Sequence, residues 1–287
     1  MNPSTFVTYT KKDLEKLPPR PAHSHKGTFG RVVCLCGSRG MAGAAYLAGL
    51  AAYRTGAGLV EILTPESNRA ILQTLLPEAI VTAYDDASPD LRTILASVAR
   101  ADALVIGCGL GTSPTSAHVL ETALTYATSP TVVDADALNL LAKRPHLHAL
   151  LKGKVITPHV GEASRLFRVP TADILSDIPA HAVRFAEALD CVCVLKDHNT
   201  VVAEKGHTLY RNTSGNSGMA TGGSGDVLAG IIGGLLAQQK ETAPYLAATL
   251  GVYIHGLCGD RAAERLSEYS VMASDLVAAL PEILCHS

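Results

Sequence analysis

Arg31-Val-Val-Cys-Leu-Cys-Gly37 is a continuous apolar run of strand length, closed by glycine and followed by a segment with helical spacing. That unit recurs along the chain and constrains the fold more than any other feature. A strand that is apolar on both faces has to be covered on both, and strands alternating with helices give a parallel sheet between helical layers. Helices are expected over 40–55 and 65–76, with a strand over 59–63 between them. Strand 103–107 precedes a helix from about 115 to 126, strand 131–134 a helix over 137–143, and strand 154–157 a helix over 161–167. A helix over 180–189 then leads into strand 191–195. The pattern changes at Thr200-Val-Val-Ala-Glu204 and His207-Thr-Leu-Tyr-Arg211, which face each other across Lys205-Gly206 as a β-hairpin. Antiparallel strands are therefore expected at one edge of the sheet. Helices over 226–238, 243–266 and 273–284 complete the chain. Its 287 residues read as one domain, with residues 1–25 a polar, proline-containing lead-in.

Composition narrows the function. Hydrophobic residues make up 47% and charged residues 17%. That balance fits an ordered globular protein. A net charge of −2 leaves no electrostatic footprint for nucleic acid or an anionic membrane. The start has no apolar signal region, and the longest apolar stretch, 227–237, is too short to span a bilayer. Seven cysteines without a CxxC pair read as buried small hydrophobes in a reducing, cytoplasmic setting, with Cys34 and Cys36 on one strand face and Cys191 and Cys193 on another. With 25 glycines, no Trp and four Phe, the core has to rely on close backbone approach.

In open parallel sheets ligands bind beyond the carboxyl ends of the strands. Five strand-to-helix junctions there carry glycines or functional side chains. Gly37-Ser-Arg-Gly40-Met-Ala-Gly43 is either a ligand-contacting loop or a tight turn with close helix packing. Gly107-Cys-Gly109-Leu-Gly111 is a ligand-lining loop; it lacks the third glycine of a dinucleotide fingerprint. Asp134-Ala-Asp136 ends a strand in carboxylates. Asp136 can N-cap the next helix, whereas Asp134 at a buried strand end needs a partner or a metal. In Thr157-Pro-His159-Val-Gly-Glu162, His159 and Glu162 flank a helix start and serve either structure or ligand.

The fifth junction is the sharpest. Asn212-Thr-Ser-Gly-Asn-Ser-Gly-Met-Ala-Thr-Gly-Gly-Ser-Gly-Asp226 runs straight into the apolar helix. Glycines before a helix N-terminus expose backbone N–H groups at the positive end of a dipole, which makes an anion site. A carboxylate beside a bound phosphate needs a role. A general base taking a proton from an attacking hydroxyl supplies one, and an N-cap is the structural alternative. No GxxxxGK[ST], HExxH or GxSxG motif is present, and no Cys/His cluster has metal-ligand spacing.

Gly-Ser-Gly-Asp ending at Asp226 resembles the GxGD anion-hole loop of the ribokinase-like superfamily. Within it the chain is similar to the ADP-dependent NAD(P)H-hydrate dehydratases. The carrying segments are Lys26-Gly-Thr-Phe-Gly-Arg31, Gly40-Met-Ala-Gly-Ala-Ala-Tyr-Leu-Ala-Gly49, Asp134-Ala-Asp-Ala-Leu-Asn139, Thr157-Pro-His-Val-Gly-Glu162 and Gly218-Met-Ala-Thr-Gly-Gly-Ser-Gly-Asp-Val-Leu-Ala-Gly230. Three positions depart from the family's usual pattern: Ser217, Ser224 and Asp197 stand where Pro, Thr and Gly are common.

The resemblance implies a ribokinase-like α/β three-layer sandwich, with helices on both faces of a mostly parallel sheet and an antiparallel edge hairpin. It implies ADP-dependent dehydration of the S epimer of NADH or NADPH hydrate, with AMP and phosphate released; the alternative is a kinase of the same superfamily acting on a small heterocyclic alcohol. By the same resemblance, Asp226 is the base, and Ala44, Gly109, Gly111, His159 and Asp226 line the hydrate site. Lys196, Asp197, His198, Asn199, Thr200, Gly223 and Gly225 contact the nucleotide. Mg2+ is expected to ride on the phosphates rather than in a protein cage. A homotetramer is implied, as is a separate NAD(P)H-hydrate epimerase acting as partner.

Overall fold

The computed structural model describes residues 6–238 and 243–285. Among these, ten strands form one sheet: β1 (Phe6–Val7), β2 (Arg31–Leu35), β3 (Leu59–Pro65), β4 (Ile80–Tyr84), β5 (Ala103–Ile106), β6 (Thr131–Val133), β7 (Val155–Ile156), β8 (Val192–Leu195), β9 (Val201–Ala203) and β10 (Leu209–Arg211). Their spatial order is β1-β10-β9-β8-β7-β6-β5-β2-β3-β4. Strands β2 to β8 run parallel, and the hairpin β9–β10 joins β8 antiparallel. Phe6 and Val7 of the lead-in lie parallel along β10 and extend that edge by one strand.

The helices are α1 (Ala42–Thr55), α2 (Arg69–Leu75), α3 (Leu91–Ala99), α4 (Pro114–Tyr126), α5 (Asp136–Ala142), α6 (Val160–Phe167), α7 (Thr171–Ser176), α8 (Ile178–Leu189), α9 (Ser224–Gln238), α10 (Pro244–Leu266) and α11 (Ala273–Leu284). One layer, with α1, α2, α9, α10 and α11, buries Val32, Cys34, Val105 and Val194 of the sheet. The other layer, with α3 to α8, buries Val33, Leu35, Leu104 and Ile106. Cys34 and Cys36 fall in the first layer and Cys191 and Cys193 in the second, as their spacing of two requires. The elements β1, β4, α3 and α7 lie outside the expected pattern.

Small residues set how near α9 comes to its neighbours. A Cβ on Gly230 would stand 2.2 Å from the Ala48 carbonyl oxygen of α1, and one on Gly233 would stand 2.4 Å from Val105 of β5. These contacts place the head of α9 over the carboxyl ends of β5 and β6. At the opposite end of the sheet, Glu61 is fully buried. It accepts hydrogen bonds from Arg31, Arg100, Ser97 and Thr82 at 2.7–3.0 Å. Burial alone would raise this carboxyl, but those donors more than offset it and pull it down to about 2.

Candidate active site

Four adjacent parallel strands deliver their next residues to one place. Beyond β5 stands Cys108, beyond β6 Asp134, beyond β7 Thr157 and His159, and beyond β8 Lys196. A cavity of about 930 Å³ is lined by Asp134, His159 and Lys196 from these strand ends, by residues of the 212–226 segment and by Val252, His255 and Gly256 of α10.

Asp134 is buried and has the partner that its position demands. Lys196 Nζ donates to Oδ1 at 2.8 Å, and the Thr157 hydroxyl donates to the same oxygen at 2.7 Å. Burial works against the Lys196 charge, but the carboxylates of Asp134 and Glu162 outweigh it and raise the ammonium above its ordinary value. The proton therefore stays on Lys196. Asp136, two residues on, accepts from the backbone N–H of Gly111 at 2.8 Å. It lies inside α5 rather than capping it. Between the two carboxylates Ala135 takes a φ of 49°. That is the left-handed region, held here without a glycine.

Helix α9 begins at Ser224, which places Asp226 in its first turn, so the N-cap alternative does not hold. One carboxylate oxygen of Asp226, one of Asp134 and the Cys108 Sγ lie within 4.8 Å of one another. Burial, seconded by the Asp134 charge, pushes the Asp226 carboxyl up to about 6, while the Cys108 thiol and Lys196 pull the other way. That value suits a base working near neutral pH. Gly225 faces the same spot: a Cβ there would come 3.3 Å from Lys196 Nζ.

His159 caps α6. Its Nδ1 accepts from the Gly161 N–H at 3.0 Å, which leaves the proton on Nε2, 3.4 Å from Glu162 Oε1. Burial, aided by the charges of Lys196 and Arg165, lowers its pKa and keeps the ring neutral. Burial raises the Glu162 carboxyl.

His159, Lys196, Asp197, His198, Asn199, Thr200, Gly223, Gly225 and Asp226 all line this cavity. Ala44, Gly109 and Gly111 do not. They form a neighbouring platform in which a Cβ on Gly109 would meet that of Ala44 at 2.7 Å, and the Ser38 hydroxyl donates to the Gly109 carbonyl at 2.9 Å. The Asp134–Asp136 turn joins platform to cavity. The Asp197 carboxylate accepts from His198 at 2.8 Å, so the charge that departs from the family pattern is turned onto its own neighbour. Sequence reasoning places Cys108 and Ser224 within their glycine-rich loops without giving either side chain a role, and it misses His255, which reads as an ordinary residue of an apolar helix until the chain is folded.

A mostly parallel sheet flanked by helices, with a glycine-rich turn at a helix head and a half-buried carboxylate in that helix's first turn, defines a ribokinase-like protein. The NAD(P)H-hydrate dehydratase family model matches residues 32–282, and the chain belongs to that family. It is 40% identical to a bifunctional NAD(P)H-hydrate repair enzyme of Moorella thermoacetica, over 94% of this chain and 52% of that protein. It thus spans about half the length of the first such relatives it matches. An ADP-dependent (S)-NAD(P)H-hydrate dehydratase of Neisseria meningitidis serogroup B is 39% identical over 84% of this chain and 80% of its own. The crystal structure of an ADP/ATP-dependent NAD(P)H-hydrate dehydratase from Bacillus subtilis, co-crystallised with ATP and Mg2+, superposes with a TM-score of 0.86. It is 31% identical and covers 99% of both chains.

Proposed function

We propose that the chain removes water from the S epimer of NADH or NADPH hydrate at the expense of ADP, giving NAD(P)H, AMP and phosphate. The observation that carries this reading is Asp226: a carboxyl raised to about 6, at the head of α9, facing a cavity of about 930 Å³ beside the lysine Lys196. The names of the Neisseria and Bacillus relatives support the same reading.

Hydroxide is a poor leaving group and phosphate a good one. Asp226 takes the proton of the ring hydroxyl as its oxygen attacks the terminal phosphorus of ADP, and AMP departs. The ring nitrogen lone pair then expels phosphate, and loss of a ring proton restores the dihydronicotinamide. Backbone N–H groups at the start of α9 and the Lys196 ammonium face the charge that gathers on the transferred oxygens. The platform of Ala44, Gly109 and Gly111, which carries no large side chain, receives the hydrated dinucleotide, and the 196–200 segment with Gly223 and Gly225 holds the nucleotide.

Mg2+ neutralises phosphoryl oxygens when bound. The Cys108, Asp134 and Asp226 cluster is a poor cage for it, since it includes a soft thiol and a carboxylate already paired with Lys196. The ion fits here as one carried by the nucleotide. A cytoplasmic homo-oligomer working with a hydrate epimerase completes the proposal. The test adds ADP to purified protein and NADH hydrate and follows dihydronicotinamide absorbance. A rise supports the dehydratase; no rise, with phosphorylation of a thiazole or pyrimidine alcohol instead, supports the kinase.

A further inference from the structure

His255 is the buried titratable group that this mechanism leaves unused. It lies in the middle of α10 with its Nε2 3.3 Å from the Ser224 hydroxyl, at the first residue of α9. Both residues line the cavity, and among the described residues Ser224 Oγ has no other hydrogen-bond partner. Ser224 also stands between Gly223 and Gly225, at the head of α9.

We propose that His255 is a positioning residue for this turn: its neutral imidazole donates Nε2–H to Ser224 Oγ and so aims the Ser224 hydroxyl proton at the terminal phosphate of bound ADP. This rests on the nucleotide reading above. The chemistry allows two arrangements. If Nε2 accepted the serine proton, Oγ would present only lone pairs to the phosphate, which repels them. If Nε2–H donates, the hydroxyl proton is free for the anion, and the turn gains a directed donor beside its backbone N–H groups. Burial lowers the ring's pKa to about 4, so at neutral pH it acts as a dipole and adds no charge. Lys196 supplies the charge and His255 supplies direction.

The test is a double-mutant cycle on nucleotide binding, read by calorimetry with ADP and with AMP in the presence of Mg2+. Ser224→Ala and His255→Leu should each weaken ADP about tenfold. The double variant should bind ADP no more weakly than Ser224→Ala alone, because His255 acts through that hydroxyl. His255→Gln, which places an N–H close to the same point, should recover to within about threefold of wild type. AMP, lacking the terminal phosphate, should bind all variants alike. His255→Asn, too short to reach Oγ, carries the same expectation should the Leu variant not fold. Losses that multiply in the double variant, or equal losses for ADP and AMP, overturn the inference while the nucleotide reading stands. Wild-type protein that does not bind ADP overturns both.

Discussion

A carboxylate oxygen of Asp134 and one of Asp226 lie within 4.8 Å of each other, and Lys196 Nζ bonds the first carboxylate at 2.8 Å. The lysine thus neutralises one carboxylate of a close pair and leaves the other poised to take a proton. In the proposed mechanism the first carboxylate is the anchor and the second the base.

Replacing Asp226 by Asn keeps shape and removes basicity. Turnover should fall by roughly 10²–10⁴-fold, while ADP affinity holds or improves because a negative charge beside the phosphates is gone. Stability should move too. A carboxyl raised in the fold stabilises it below the ordinary range, near 4, and loses that contribution as pH rises through about 6. Asp226→Asn should therefore match wild type at about pH 4 and exceed it above about pH 6.5 by about 1–2 kcal/mol, partial exposure to the cavity limiting the gain. Thermal melts across that range check the sign.

The pH profile reads the same group directly. With wild type, kcat/KM should rise through about pH 6 and then level. Asp134→Asn deletes the neighbouring negative charge and frees Lys196 to act on Asp226, so the rising limb should move acidward by about one pH unit. Parting the buried ion pair should also cost about 3 kcal/mol of stability. A limb that stays at about 6 in this variant assigns it to another group.

Glu61 lies at the end of the sheet remote from the cavity. Glu61→Gln leaves two arginines facing a neutral amide at a fully buried position, and should cost about 3 kcal/mol. At a temperature where the variant is folded, kcat and KM should be those of wild type. A changed KM for ADP would contradict the separation of this network from the site.

Gly230→Ala tests the small-residue core. The added methyl would sit 2.2 Å from the Ala48 carbonyl, so α1 and α9 have to part. A loss of about 1–3 kcal/mol is expected, with the melting temperature down by several degrees. Because α9 carries Asp226, kcat should fall along with stability.

Legibility from sequence followed the range of the interactions. The strands β2, β5, β6 and β8 announce themselves as apolar runs, and the head of α9 as a cluster of glycines, because local spacing dictates both. Strand β4, Ile80-Val-Thr-Ala-Tyr84, carries a β-branched signal, but it lies at an edge of the sheet and no glycine closes it. Strand β1 has no local signal at all, since two residues become a strand only by meeting β10. At the site, Asp134 stands out because a charge ending a buried strand requires a partner. That the partner is Lys196 depends on β6, β7 and β8 lying side by side. Cys108 stands beside Asp134 because β5 and β6 are neighbours, and Ser224 meets His255 only once α9 and α10 pack; the glycine-rich loops mark where Cys108 and Ser224 stand, but no spacing marks His255.

An ADP-driven dehydratase has to form its three products in fixed stoichiometry. Purified protein is incubated with the S epimer of NADH hydrate, ADP and Mg2+, and dihydronicotinamide, AMP and inorganic phosphate are measured in the same samples over time. All three should appear in equal amounts, none should form without ADP, and Asp226→Asn should suppress all three together. AMP appearing with a stable phosphate ester and no dihydronicotinamide, or dihydronicotinamide formed without ADP, would contradict it.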